Sequence, residues 1–268
     1  MTKQHGYSLL ELLFSLLLGT IVLSLVIEAL LVYQHSYRQL NNNNHLQEQM
    51  RFSSHIISST VETAGYIGCA GLADHFPLVA NGSSEVITAD NAVQIFSSNS
   101  SHLPNFISGK LAPNSQVLVI RQLMPISDVL LSPADNSSDL IVSNTVPLNA
   151  GDTIVLSDCR HGELLKIKSV SLGQQQQITT TQALHFAYHA GAQIGALEVI
   201  AFYIADTGRI EQGRPIYALY QGIAGQARQE LVPDVESMSV QRDRRLVHIN
   251  LQFPSLLFHI DIPLSEYL

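Results

Sequence analysis

The stretch from Leu12 to Ile27 contains no charged residue, and a carboxylate, Glu11, sits immediately before it. Ala29 to Tyr33 extend the apolar run beyond a second acid, Glu28. A helix from Tyr7 to Val32 would be about 39 Å long, enough to cross a hydrocarbon core of roughly 30 Å with some tilt. A membrane-spanning helix is therefore the first expectation. An acid inside such a helix is costly, and it marks a functional site by default. Glu28 lies about 31 Å beyond Tyr7 along the same helix, near the far interface where its side chain reaches water. It is read as a boundary residue, and Glu11 as the one that needs a reason.

The segment before the run does not suit ordinary secretion. A secretory signal places its small-residue cleavage site after the apolar segment, whereas here Val32-Tyr33-Gln34-His35-Ser36-Tyr37-Arg38 leads straight into a polar helix. The small residue, Gly6, comes before the apolar segment instead. Cleavage after Gly6 would free an amine on Tyr7, four residues from Glu11. Lys3 before the span and Arg38 after it give only a weak orientation signal.

The stretch Gly6-Tyr7-Ser8-Leu9-Leu10-Glu11-Leu12 resembles the processing site of type IV pilins and of the pseudopilins of type II secretion. The resemblance implies that a prepilin peptidase cuts after Gly6 and methylates Tyr7. It also implies that Glu11 pairs with the N-terminal amine of a neighbouring subunit. Tyr7 stands where Phe is more usual, which keeps an aromatic residue there. The imported role is physically reasonable: an unpaired carboxylate in lipid costs a few kcal/mol, and a neighbour's amine offsets it.

Beyond the span the helix is expected to continue. Leu46, Met50, Ser53, Ile57, Val61 and Ala64 recur at three- and four-residue steps, a mostly apolar stripe at the helical period. Gly65 is the natural stop. Gly19 and the run Asn41 to Asn44 are poor helix formers and candidate kinks, with a merely solvated stretch the equal alternative for the Asn run.

Cys69 and Cys159 are the two cysteines of the chain, and neither belongs to a C-x-x-C motif. Zinc would want more ligands at tighter spacing. A structural disulfide, and with it an oxidising compartment such as the periplasm, is the favoured reading. Two free buried thiols are the alternative. Closing a loop of about 90 residues would stabilise the fold by roughly 4 to 5 kcal/mol in the chain-entropy treatment.

The helix segment Leu46-Gln47-Glu48-Gln49-Met50-Arg51-Phe52 and the stretch Ala64-Gly65-Tyr66-Ile67-Gly68-Cys69 resemble the PilW family of minor pilins. Gly151-Asp152 through Asp158-Cys159 is similar to a later segment of that family, and Tyr217 to Tyr220 and Glu230 to Glu236 fit its closing portion. That resemblance implies a subunit of a small complex of minor pilins that primes pilus assembly and sits at the tip. Its implied partners are other minor pilins, the major pilin, the prepilin peptidase and the inner membrane before assembly. Its implied location is the inner membrane, with the C-terminal domain periplasmic, and then the pilus at the cell surface. A J-like minor pseudopilin of type II secretion shares the same helix, and a membrane-anchored periplasmic enzyme or binding protein is the reading from another class.

From Tyr66 onward, helical periodicity gives way to short runs of Val, Ile, Leu and Tyr bounded by Gly, Pro, Asn and Ser. Strands are predicted near 116–122, 153–158, 164–171, 177–182, 197–205, 215–220, 245–253 and 256–263. Val247, Ile249, Leu251 and Phe253 alternate with His248, Asn250 and Gln252, which suits a sheet with one wet face. Gly173 with Gln174 to Gln177 reads as a hairpin loop. The Ser- and Asn-rich stretches from Asn81 to Asn114 and from Ser132 to Asn144 read as surface loops. The expected fold is α+β, with a long N-terminal helix packed on an antiparallel β-sheet domain, as in type IV pilins. Its parts are a leader at 1–6, the membrane span at 7–33, an amphipathic helix at 34–65 and a β-rich globular domain at 66–268.

The net charge of −8, with only 14 basic residues, offers no electrostatic footprint for nucleic acid. No catalytic constellation stands out, and neither enzymatic activity nor a cofactor or small-molecule substrate is expected. His185 and His189 stand four apart without the acid of H-E-x-x-H, in strand-like surroundings. His35, His45 and His55 recur every ten residues, a spacing that does not bring helix side chains together. Asp135 and Asp139 could hold calcium, but a solvated loop is the simpler reading. No metal site is expected.

Overall fold

A computed structural model describes residues 9–68, 72, 76–82, 86–124, 127–211, 213–243, 246–254 and 256–264, without the side chains of 9, 10, 35 and 38–46. The chain forms two compact units, Met1–Phe52 and Ser53–Leu268.

Helix α1 runs from Leu9 to Glu62 without interruption, through both Gly19 and the Asn run. Local propensity at those places amounts to only about 1 kcal/mol per residue or less, too little to break a helix with long apolar flanks. In the second unit the expected stripe is buried: Ser53, Ile57, Val61 and Ala64 are fully inaccessible. The helix stops where Gly65 takes a left-handed φ of 72°. Its amide donates to the Arg121 carbonyl at 3.0 Å, so the end of the helix is tied directly to the sheet. Thr63 Oγ1 donates to Gln122 Oε1 at 2.6 Å, and Gln122 Nε2 donates on to Glu198.

Among the described residues fourteen strands follow. They are β1 (Leu78–Asn81), β2 (Val93–Ser97), β3 (Gln116–Leu123), β4 (Asp128–Val129), β5 (Asp139–Val142), β6 (Thr153–Ser157) and β7 (Gly162–Ser171). Then come β8 (Gln176–Thr180), β9 (Gln193–Glu211), β10 (Arg214–Ile223), β11 (Gln229–Pro233), β12 (Ser237–Arg242), β13 (Leu246–Gln252) and β14 (Leu257–Pro263). Every strand expected from the sequence coincides with one of these. Two of the expected loop stretches need correction: β2 lies within Asn81 to Asn114, and β5 within Ser132 to Asn144. The β7–β8 hairpin loop is also shorter than expected, because Gln176 and Gln177 already belong to β8.

The larger sheet runs β11-β10-β9-β6-β7-β8-β5, with β3 and β4 also on β9, β2 on β3 and β1 on β7. The β1–β7 pair is parallel; the others are antiparallel. The 19-residue β9 organises it. Its first residues pair with β4 and β6, and from Leu197 onward it pairs with β3 and then β10. The two halves of β9 thus serve two apolar clusters. One includes Leu140, Ile154, Leu165, Ile178 and Ile194, the other Val117, Val119, Ala201, Tyr203 and Tyr220. Both faces of β3 are buried, and β12 of a second, three-stranded sheet (β12-β13-β14) packs against it.

Candidate functional site

The first unit carries the candidate site. From Leu12 to Val32 the large apolar side chains of α1 are each between 48% and 62% exposed, on every side of the helix. A helix apolar all round has no water-facing side, and it belongs in lipid or among other such helices. Residues Glu11–Gln34 make one 24-residue segment long and apolar enough to cross a membrane. The serine and threonine hydroxyls within it are satisfied locally: Ser15, Thr20 and Ser24 each donate to a carbonyl three residues back, at 2.8 to 2.9 Å. The carboxylates Glu11 and Glu28 are the charged groups of this segment, and both are exposed. Glu11 lies in the first turn, where the partial positive charge of the helix end favours an acid. It has the chemistry to accept a cation from outside the chain. Gly6 and Tyr7 lie outside the described residues.

Residues 1–27 match the family model described as the prokaryotic N-terminal methylation motif. The chain carries a prepilin-type N-terminus. The match covers residues 1–6, Tyr7, Glu11 and most of the apolar run, and it supports a type IV pilin or pseudopilin. Motif and helix together are consistent with anchoring in the inner membrane. No curated protein and no solved structure matches the chain.

In the second unit, Cys159 sits in the tight turn joining β6 to β7, and Cys69 lies outside the described residues. Asp158 shapes that turn, with Oδ1 accepting from the amides of Arg160 and His161 at 2.8 and 2.9 Å. Gly68, which precedes Cys69, lies against the same region. A Cβ added to it would stand 2.8 Å from Gln193 Oε1 and 3.4 Å from Ser157 Oγ. Its φ of 114° suits glycine as well.

The histidine and aspartate pairs weighed above lie in connections or at the start of a strand. His185 and His189 lie in the irregular connection between β8 and β9, not in strand surroundings, and both are exposed. Asp139 opens β5 and accepts a hydrogen bond from Thr179 Oγ1 at 2.7 Å, while Asp135 faces solvent. The structure instead gathers His248, His259 and Asp261, a group that sequence reasoning passed over. The clue was available: in an antiparallel hairpin the polar positions of 246–252 must face those of 257–263.

Proposed function

We propose that this chain is a PilW-like minor pilin, which joins other minor pilins in a complex that primes type IV pilus assembly and sits at the tip. One observation carries the reading. Glu11 falls in register within the methylation motif, at the start of a helix that is apolar on all sides. Prepilin peptidase would cut after Gly6, and the freed Tyr7 amine of one subunit would meet Glu11 of the next. The pairing removes the cost of a lone carboxylate in lipid and sets the axial register between subunits. The work of the chain is then structural rather than catalytic. The β domain, on the periplasmic side before assembly, would contact neighbouring minor subunits.

The same reading includes a Cys69–Cys159 disulfide. The approach of Gly68 to Ser157 and Gln193 supports it, since that brings the chain before Cys69 to the β6–β7 turn. Full labelling of both thiols in the folded protein would contradict the bond.

The proposal is tested by shearing pili from cells that express the wild type or Glu11→Ala. The wild type should be recovered in the pilus fraction. The variant should stay in the membrane and fall more than about tenfold in pili, the equivalent of about 1.4 kcal/mol. Equal recovery of both overturns the role of Glu11. Absence of the wild type from pili, with loss of protein secretion on deletion, would instead indicate a J-like pseudopilin.

A further inference from the structure

We propose that His248, His259 and Asp261 bind one divalent transition-metal cation of the zinc type, on the solvent face of the β13–β14 hairpin. The register of the hairpin creates the site, because His248 stands opposite Asp261 and Asn250 opposite His259. His248 Nδ1 lies 2.5 Å from Asp261 Oδ1, and His259 Nε2 lies 2.7 Å from the same oxygen. The two rings stack nearly parallel, 6.0 Å apart at 13°, so both point their nitrogens at one carboxylate. One ligand atom from each residue lies within 4.8 Å of the other two.

The second layer fits a metal as well. His259 Nδ1 lies 2.5 Å from Asn250 Oδ1, and Asn250 Nδ2 is directed at Ser239 Oγ on β12, which orients the amide. That contact holds a ring proton on Nδ1, so a cation that displaces the proton shared by Nε2 and Asp261 finds an imidazole lone pair there, as in metal-bound histidines generally. The scaffold is firm, because the alternate residues Val247, Ile249, Leu251, Ile260 and Ile262 are all buried. Ligands around tetrahedral zinc stand about 3.3 Å apart, given bonds of 2.0 to 2.2 Å. The present separations of 2.5 and 2.7 Å need to widen by less than 1 Å. Two imidazoles and one carboxylate select zinc, nickel or copper over calcium or magnesium, whose sites are built from oxygen. Three protein ligands on an open face leave a position for water or for a ligand from another subunit.

The test uses the full chain in detergent, purified without a histidine tag, stripped with chelator and titrated with zinc chloride. Metal retained after gel filtration is measured by mass spectrometry. The wild type should hold one zinc per chain. His248→Ala and His259→Ala should each weaken binding more than about tenfold, while His189→Ala should bind as the wild type does. Both ligand positions are at least partly exposed, so unchanged circular dichroism is expected for each variant. A wild type that retains no stoichiometric zinc overturns the proposal. So does retained zinc that neither His248→Ala nor His259→Ala diminishes.

Discussion

Glu163 is fully buried, yet it has a donor on every side. Its Oε1 accepts from the amides of His185 and Phe186 at 2.9 and 2.7 Å, and its Oε2 accepts from Asn81 Nδ2 at 2.8 Å. It thereby ties β7 to the end of β1 and to the connection before β9. Removing it leaves two partly buried backbone donors without their acceptor, so Glu163→Ala should destabilise the fold by about 3 kcal/mol, read from chemical denaturation. Tyr188 presents a different case, with its hydroxyl buried beside the Glu163 carboxylate. Tyr188→Phe should cost no more than about 1.5 kcal/mol at pH 7. Burial first, and then the negative charges of Glu163 and Asp158, push the Tyr188 hydroxyl well above the ordinary phenol range. A raised pKa contributes stability that is fully present below the unfolded value of about 10. That contribution is lost as pH climbs from there towards the folded value. Tyr188→Phe should lose less stability than the wild type between pH 9 and about 11, and equal losses would contradict this.

Among the elements, α1 shows how far periodicity carries. Its stripe predicted Ser53, Ile57, Val61 and Ala64 as the inward face of the segment in the second unit, and all four are buried. Ile57→Ala should cost about 3 kcal/mol. Phe52→Ala, at a position 52% exposed, should cost under about 0.5 kcal/mol. Melting temperatures of the two variants check the contrast. The strands were legible for the same reason, because Val247, Ile249, Leu251 and Phe253 alternate and are buried at 1% exposure or less. The short strands β2 and β5 were not. Ser and Asn dominate their surroundings, and both are held by long-range pairing, β2 with β3 and β5 with β8. Gln176 was misread as loop because its character is polar, yet it is buried, with Nε2 donating to the Val146 carbonyl. The His248–His259–Asp261 group depends on cross-strand register, which no single-strand pattern contains.

At the scale of the whole molecule, two kinds of burial meet in one chain. The second unit completes its own core, with the two halves of β9 serving separate apolar clusters. The first unit leaves its apolar side chains uncovered from Leu12 to Val32, with Glu11 at their head. The apolar run was visible in the sequence, where Gly6, Tyr7 and Glu11 stand in order, but the boundary between the units falls at Phe52, inside α1, and not at Tyr66 where composition changes. What the sequence pattern does not contain is how the strands cross, since pairing partners up to about a hundred residues apart leave no local trace. In the proposed function, a helix of this kind awaits lipid and then other subunits, and the passage between them would turn on the amine that cleavage creates. The most direct measurement is mass spectrometry of the N-terminus of the protein purified from cells with an active prepilin peptidase. The chain should begin at Tyr7 and carry one added methyl group. A chain that retains Met1 to Gly6 in such cells would contradict this.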